Sequence, residues 1–344
     1  MLPRVTLKAI AAKAGVHLST VSLALKNHPS LPEATRLRLQ NLADEMGYCR
    51  DPLLSALIAY RSTNRPLSKQ GVLAWVDLGT NALPARSWTH ANIWNGAFNH
   101  AQKLGWNLQE FRPLNEGIAL PQFSRILRTR GIQGLIIAPL PVGINSIELE
   151  WSWFSAVCPS HSLHTPDLHR ILTNQAHNMR VLCQKLYNLG YRRPGFVITT
   201  DENRRTGHDW LSAFLGFQYS AVNLAIIPPL EQMAFESNGF LAWVRVYKPD
   251  VIIVTRPNDY IATLTAAGFS IPRDIGVASI RNPGFLGPDS MWGVNECFEE
   301  IGQKAIDVLV GMIHRNEKGV PIKSIKTFIS GELQEGDTLR SQAV

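Results

Sequence analysis

The sequence predicts an α/β protein with a helical N-terminal head carrying a helix-turn-helix and a core of two lobes, each a doubly wound parallel sheet. Three observations carry this expectation. The first fifty residues hold three stretches of helical spacing separated by turn signals. From residue 71 onward, short apolar runs alternate with helical periods, the pattern of parallel strands joined by helices. The positive charge of the chain is concentrated ahead of that alternation. The expected boundaries are a head over 1–50, a connecting segment and linker over 51–70, and a core over 71–335.

In the head, Thr6 offers an N-cap hydroxyl, and Leu7, Ile10, Ala11 and Ala14 fall on one helical face before Gly15 stops the helix. After the turn Gly15-Val16-His17, a second helix runs from Leu18 to about Leu25. Its spacing buries Val21, Ala24 and Leu25 and exposes Leu18, Ser19, Ser22 and Leu23. Two short helices around a tight turn, with exposed residues near the start of the second, form the geometry that sets side chains on major-groove base edges. A third helix is expected from Glu33 to Met46, with Pro32 near its first turn, Leu39, Leu42, Ala43 and Met46 inward, and Gly47-Tyr48 closing it. Arg36 and Arg38 lie away from the inward face, in reach of phosphates.

Charge separates this arrangement from an ordinary helical hairpin. Residues 1–70 hold ten Lys or Arg against four acids, a net +6 of the chain's +7, so the remainder is almost neutral. A basic excess confined to the helix pair and its surroundings is the asymmetry of a nucleic-acid contact surface.

Val-Thr-Leu (5–7), Ala-Gly-Val (14–16), Ser-Thr-Val-Ser (19–22), Ala-Thr-Arg (34–36) and Met-Gly-Tyr (46–48) resemble the lac repressor family of bacterial regulators, also called the LacI/GalR type. The resemblance covers residues 5–60. It implies DNA contacts from Thr6, His17, Leu18, Ser19, Thr20, Ser22, Leu23, Lys26 and Arg36 of the head. It also implies a hinge helix over Asp51–Tyr60, with Pro52 at its start, Leu54 in contact with DNA, and Leu57 as a wedge between base steps of the minor groove. Three positions depart from the family pattern: Leu23 where many members have arginine, Leu54 where many have alanine, and His17 in place of a serine, which implies a weaker cap. Without Arg, Asn or Gln on the exposed face of the second helix, no bidentate grip on guanine or adenine is available there.

Residues 71–344 exceed the usual span of one domain, roughly 100–200 residues. Val72–Val76, Gly134–Ala138, Gly195–Ile198, Val251–Thr255 and Gly276–Ile280 read as buried parallel strands. Helical periods fall between and after them, as at Ile93, Ala97, Ala101 and Leu104, and again at Ile301, Ala305, Ile306, Leu309 and Ile313. Leu104-Gly105-Trp106, Leu189-Gly190-Tyr191 and Ala267-Gly268-Phe269 repeat the Gly-aromatic stop seen at Met46-Gly47-Tyr48. The stretches 134–137, 189–191 and 271–278 resemble the periplasmic-binding-protein-like core of the same family. That resemblance implies a small effector between lobes, with 71–161 plus 291–320 in the first lobe and 162–290 plus 321–335 in the second.

Ligands of such sheets sit beyond the carboxyl ends of the strands. The candidate effector residues there are Asp77, Asp201, Asn258, Asp259 and Arg281, with Trp88, Trp210 and Trp292 as apolar faces. Trp210 falls near the place of the family's sugar-gripping arginine and Arg281 where many members have aspartate. A sugar is therefore not the default effector.

The motifs of several enzyme classes are missing, including the dinucleotide and phosphate-loop glycine patterns, His-Glu-x-x-His and Gly-x-Ser-x-Gly. Cys49, Cys158, Cys183 and Cys297 lack Cys-x-x-Cys spacing, and His161, His164 and His169 beside Asp167 are irregularly placed for a metal. Neither cofactor nor metal is expected. With no apolar membrane span or export signal, the expected location is the cytoplasm. The reading is a non-enzymatic transcription regulator, of the repressor kind by resemblance. It would bind a pseudo-palindromic operator as a homodimer and answer to a small molecule. The competing reading is a solute-binding protein of the same core with no DNA role.

Overall fold

In a computed structural model of the 344-residue chain, residues 5–25, 30–46, 71–79, 87–281 and 291–342 are described. The head consists of α1 (Leu7–Ala14), α2 (Leu18–Leu25) and α3 (Glu33–Glu45). Thr6 caps α1, its Oγ1 accepting from the Ala9 amide at 3.2 Å. Gly15 ends the helix in the left-handed conformation at φ 66°, the conformation expected of a glycine helix stop. Ile10, Ala11, Val21 and Ala43 form the buried centre, flanked by Leu7, Leu25, Leu42 and Met46. Leu25, expected inside, is only partly buried. The Gln40 side-chain amide donates to the Ala24 carbonyl at 2.9 Å, tying α3 to the end of α2.

The first lobe contains β1 (Gly71–Val76), α4 (Trp88–Lys103), β2 (Trp106–Phe111), α5 (Leu120–Thr129), β3 (Gly134–Ile137), β4 (Ser155–Cys158) and β5 (His169–Thr173). The second contains α6 (Gln175–Asn188), β6 (Pro194–Thr199), α7 (Thr200–Arg205), α8 (Asp209–Ser220), β7 (Leu230–Gln232), α9 (Ser237–Tyr247), β8 (Val251–Val254), α10 (Pro257–Ala266), β9 (Gly276–Ser279) and β10 (Gly293–Asn295). The chain returns to the first lobe for α11 (Phe298–Arg315) and β11 (Lys326–Ile329), and ends in the second with β12 (Glu332–Gln334). The first sheet has the order β11-β5-β4-β3-β1-β2 and the second β12-β10-β9-β8-β6-β7. Pairing is parallel throughout except between β10 and β12.

Strand residues alternate between two apolar cores, one on each face of each sheet. Leu73, Trp75, Ile136, Val157 and Ile171 meet α4 and α11, whereas Ala74, Val76, Leu135, Ile137 and Ala156 face α5. In the second sheet Phe196, Ile198, Val251 and Ile253 meet α6 and α8, and Val197, Ile252, Val254 and Val277 face α9 and α10. Burial on both faces explains why these strands read as unbroken apolar runs. Helices α4 and α11 touch backbone to backbone: a Cβ on Gly96 would lie 2.0 Å from the Glu299 carbonyl oxygen, and one on Gly302 2.1 Å from that of Ile93.

The lobe boundaries differ from those the family resemblance implied. Strand β5, placed by that division in the second lobe, pairs with β4 and β11 in the first. Residues 293–295 of β10 pair with β9 and β12 in the second lobe, and β11 belongs to the first. The physical reason is strand pairing. The three crossings lie near residues 174, 296 and 330, and they are bonded to one another. The Asn174 amide donates to Ile329 O at 2.8 Å, Gln175 Nε2 donates to Glu296 Oε1 at 2.8 Å, and the Gly331 amide donates to Asn178 Oδ1 at 2.8 Å.

Candidate nucleic-acid interface and lobe junction

On α2, Leu18 is 45% exposed, Ser19 is exposed, and Thr20, Ser22 and Leu23 are half-buried, while Val21 and Ala24 hold the helix to the head. The outward residues therefore sit on a helix whose opposite face is fixed. His17 performs a serine's capping role: its Nδ1 accepts from the Ser19 amide at 3.3 Å and lies 2.8 Å from Ser19 Oγ. The expected weakening of this cap is thus offset by the imidazole, and the hydroxyl of Ser19 is drawn toward it. Thr6, Lys8 and Lys13 are exposed on α1 or at its start, and Arg36 on α3 is half-buried with Arg38 exposed beside it. This gives basic groups around a short exposed helix, the chemistry that meets phosphates while the helix meets base edges. Lys26, Leu54 and Leu57 lie outside the described residues, as do Gly47, Tyr48 and the rest of 51–70.

At the lobe junction the structure separates the eight candidate residues. Trp210 and Arg281 come together, the guanidinium carbon 5.4 Å from the ring centroid. Trp210 is nevertheless fully buried in the second-lobe core. Trp292 belongs to that same core, with Lys185 Nζ 5.1 Å from its ring. Trp88 packs edge-on to Phe298 in the first-lobe core. Trp210 and Trp292 are thus packing residues in this conformation and Trp88 is a partly buried one at the edge of its core. Asp77 is buried after β1, its Oδ1 accepting from the Gly79 amide at 2.7 Å. Asp201 pairs with Arg204 at 2.9 Å on α7, and Asn258 and Asp259 are exposed on the first turn of α10.

Glu296 has no place among the sequence candidates, yet it is central here. It is fully buried at the second crossing, where Arg281 Nε donates to its Oε2 at 3.0 Å and Gln175 to its Oε1. Burial pushes its carboxyl up from the ordinary value, with Arg281 and Gln175 pulling the other way. Four buried polar atoms nearby in the fold or at its crossings have no protein partner: His161 Nε2, Gln175 Oε1, Asn203 Oδ1 and Trp210 Nε1. Burial holds the His161 imidazole below its usual range, opposed by Asp209 across the junction. Buried polar groups are normally satisfied, and the same condition recurs elsewhere in the fold, as at Trp75 Nε1 and Trp106 Nε1. A Glu alone between a strand and a helix gives no periodic signal; only the chain crossings bring it to Arg281 and Gln175.

Residues 6–51 match the family described as bacterial regulatory proteins, lacI family, and residues 183–338 match the periplasmic binding protein-like domain. Among solved structures, the transcriptional regulator CelR in complex with cellobiose is 15% identical, with a TM-score of 0.56 over 97% of this chain and 100% of its own. The lac repressor dimer bound to operator and the anti-inducer ONPF is 16% identical, with a TM-score of 0.54 over 98% and 99%. A LacI family transcriptional regulator from Enterococcus faecium with bound ribose is 13% identical, with a TM-score of 0.53 over 79% and 100%. No curated protein sequence matches the chain. Among the described residues no helix is long and apolar enough to cross a membrane.

Proposed function

The chain belongs to the lacI family of bacterial regulatory proteins, and from that premise we propose that it represses transcription as a cytoplasmic homodimer on a pseudo-palindromic operator. The head is its DNA-binding unit and the two lobes its effector-binding unit. The observation that carries the reading is the exposed start of α2 on a fixed three-helix scaffold, within the segment that holds almost all the net charge. Leu18, Ser19, Ser22 and Leu23 are the base-reading side chains of this proposal. Thr6, Thr20, Lys26 and Arg36 steady the head on phosphates, and Leu54 and Leu57 act in the minor groove. A solute-binding role without DNA finds no support in the head.

Relatives of this fold hold cellobiose or ribose. Here the effector site we propose is the junction around Arg281, Glu296 and Gln175, bordered by Asp77, Asp201 and the first turn of α10. In this reading an effector acts by preferring one arrangement of the lobes joined at the bonded crossings, and operator affinity follows from that preference. Electrophoretic mobility or anisotropy titration with genomic operator fragments tests the DNA role. The full chain is expected to bind specific fragments, and a chain lacking residues 1–60 to lose that binding altogether. Unchanged affinity after the deletion would remove the proposal.

A further inference from the structure

Between the lobes lies a small cavity of about 30 Å³, bounded on one side by Arg204 and Arg205 of α7 and on the other by Asn145, His161, Ser162 and His164 of the first-lobe loops. Its wall contains two guanidiniums and two imidazoles and no carboxylate. The two arginines are not equivalent. Arg204 is neutralised by Asp201 at 2.9 Å. Arg205 has no carboxylate partner among the described residues; its Nη2 instead crosses to the first lobe and donates to the Leu140 carbonyl at 3.1 Å. That loop is itself braced, the Leu140 amide donating to Ser162 Oγ at 2.7 Å and Ser162 Oγ lying 2.8 Å from Ser160 Oγ. His161 presents a buried Nε2 with no protein partner, and the acid that faces it is Asp209 at the start of α8.

We propose that this cavity receives the anionic head, a carboxylate or a phosphate, of the effector, with Arg205 as its principal counter-charge. The inference rests on the reading of the lobe junction as the effector site and names the chemical class that site takes. The volume fits: a water needs roughly 10–15 Å³ by this measure, so the space suits one small polar group rather than a whole sugar ring. The chemistry fits as well, because a half-buried guanidinium with spare donors binds carboxylate or phosphate oxygens by charge-assisted hydrogen bonds. Since Arg205 belongs to one lobe and the histidines to the other, an anion there joins the lobes and favours the closed arrangement.

The test is calorimetric titration of the full chain with inorganic phosphate and, separately, with acetate, at constant ionic strength. One or both anions should bind saturably at one site per chain. The Arg205→Gln variant should bind at least tenfold more weakly, and His164→Asn, at an exposed position, severalfold more weakly. The second variant covers the case in which Arg205→Gln fails to fold. The anion that binds more tightly distinguishes phosphate from carboxylate. No binding of either anion, or equal affinity in the wild type and both variants, overturns the inference, the latter outcome placing the anions on the basic head. Operator binding measured in parallel keeps the two readings apart, since intact operator binding with no anion site overturns this inference alone.

Discussion

The exposed face of α2 and the lobe junction both carry candidate functional groups, but they are built in opposite ways. Leu18, Ser19, Ser22 and Leu23 lie within six residues of one another, the first two exposed and the last two half-buried where exposure was expected, and depend only on the head beneath them. The junction draws on Gln175, Arg281 and Glu296, which are more than a hundred residues apart at the extremes and meet only where the chain changes lobes. A contiguous exposed face can change its base preference without disturbing the fold. A buried cluster at the crossings cannot change without disturbing the hydrogen bonds that join the lobes.

The largest expected effect tests the first half of that contrast. Replacing Ser19 and Ser22 together by alanine should weaken specific operator binding by about 1–3 kcal/mol, two single hydroxyl hydrogen bonds, while leaving the thermal unfolding midpoint of the core unchanged. Equal affinity would show that this face does not read bases. Binding-site selection on the same protein should return no strict guanine opposite α2, because Leu18, Ser19, Ser22 and Leu23 offer no bidentate donor pair. The second effect belongs to the first lobe. Gly302→Ala would press a methyl group into the Ile93 carbonyl, and overpacking of this kind costs about 1–3 kcal/mol. Urea unfolding should show the loss in the core transition, with the isolated head's transition unmoved. A smaller loss, about 1 kcal/mol, is expected for Thr6→Ala, which removes the cap on α1. Hydrogen exchange should place that loss in the head, and a change spread over the core would contradict the independence of the two regions.

The same contrast explains what was legible in the sequence. The helix pair was readable because its determinants are local: a Thr cap, a glycine stop and apolar spacing over eight residues. Five of the strands buried on both faces were readable as apolar runs, whereas β4, four residues that open on Ser155, is buried on both faces and was not. Strands at or near the edges were not, since β2 carries Asn107, Gln109 and Glu110, and β11 exposes Phe328 at 48%. The lobe assignment of β5, β10 and β11 depends on which strand each pairs with, a non-local choice that spacing does not encode. Among the site candidates, Arg281 was found because it follows a strand. Glu296 and Gln175 were not, because their significance lies in hydrogen bonds between separate crossings. Trp88, Trp210 and Trp292 were read as ligand faces from position alone, whereas their bulk places them in the cores.

The effect expected to be smallest in size concerns the slope of stability with pH, and it tests the second half of the contrast. Burial raises the Glu296 carboxyl above its ordinary value of 4.5 in the folded protein, despite Arg281 and Gln175. Within the window from that ordinary value up to the raised one, the folded state binds more proton than the unfolded chain. Stability therefore falls as pH rises through the window, and the contribution of this group is fully present only below it. Glu296→Gln keeps the shape and removes the titration. Its unfolding midpoint should lack this part of the pH dependence, so the wild type should lose ground to the variant as pH rises. Arg281, with its side chain 32% exposed, can turn to water when its counter-ion is gone, which limits the penalty of leaving a charge unpaired. Midpoints measured in urea from pH 4.5 to 8 check the difference. Parallel curves for the two proteins would show that folding leaves the Glu296 carboxyl at its ordinary value, against the effect of burial. Diverging curves, with a weakened effector response in Glu296→Gln, would show a charge kept at the crossing at the expense of stability because the effector response needs it.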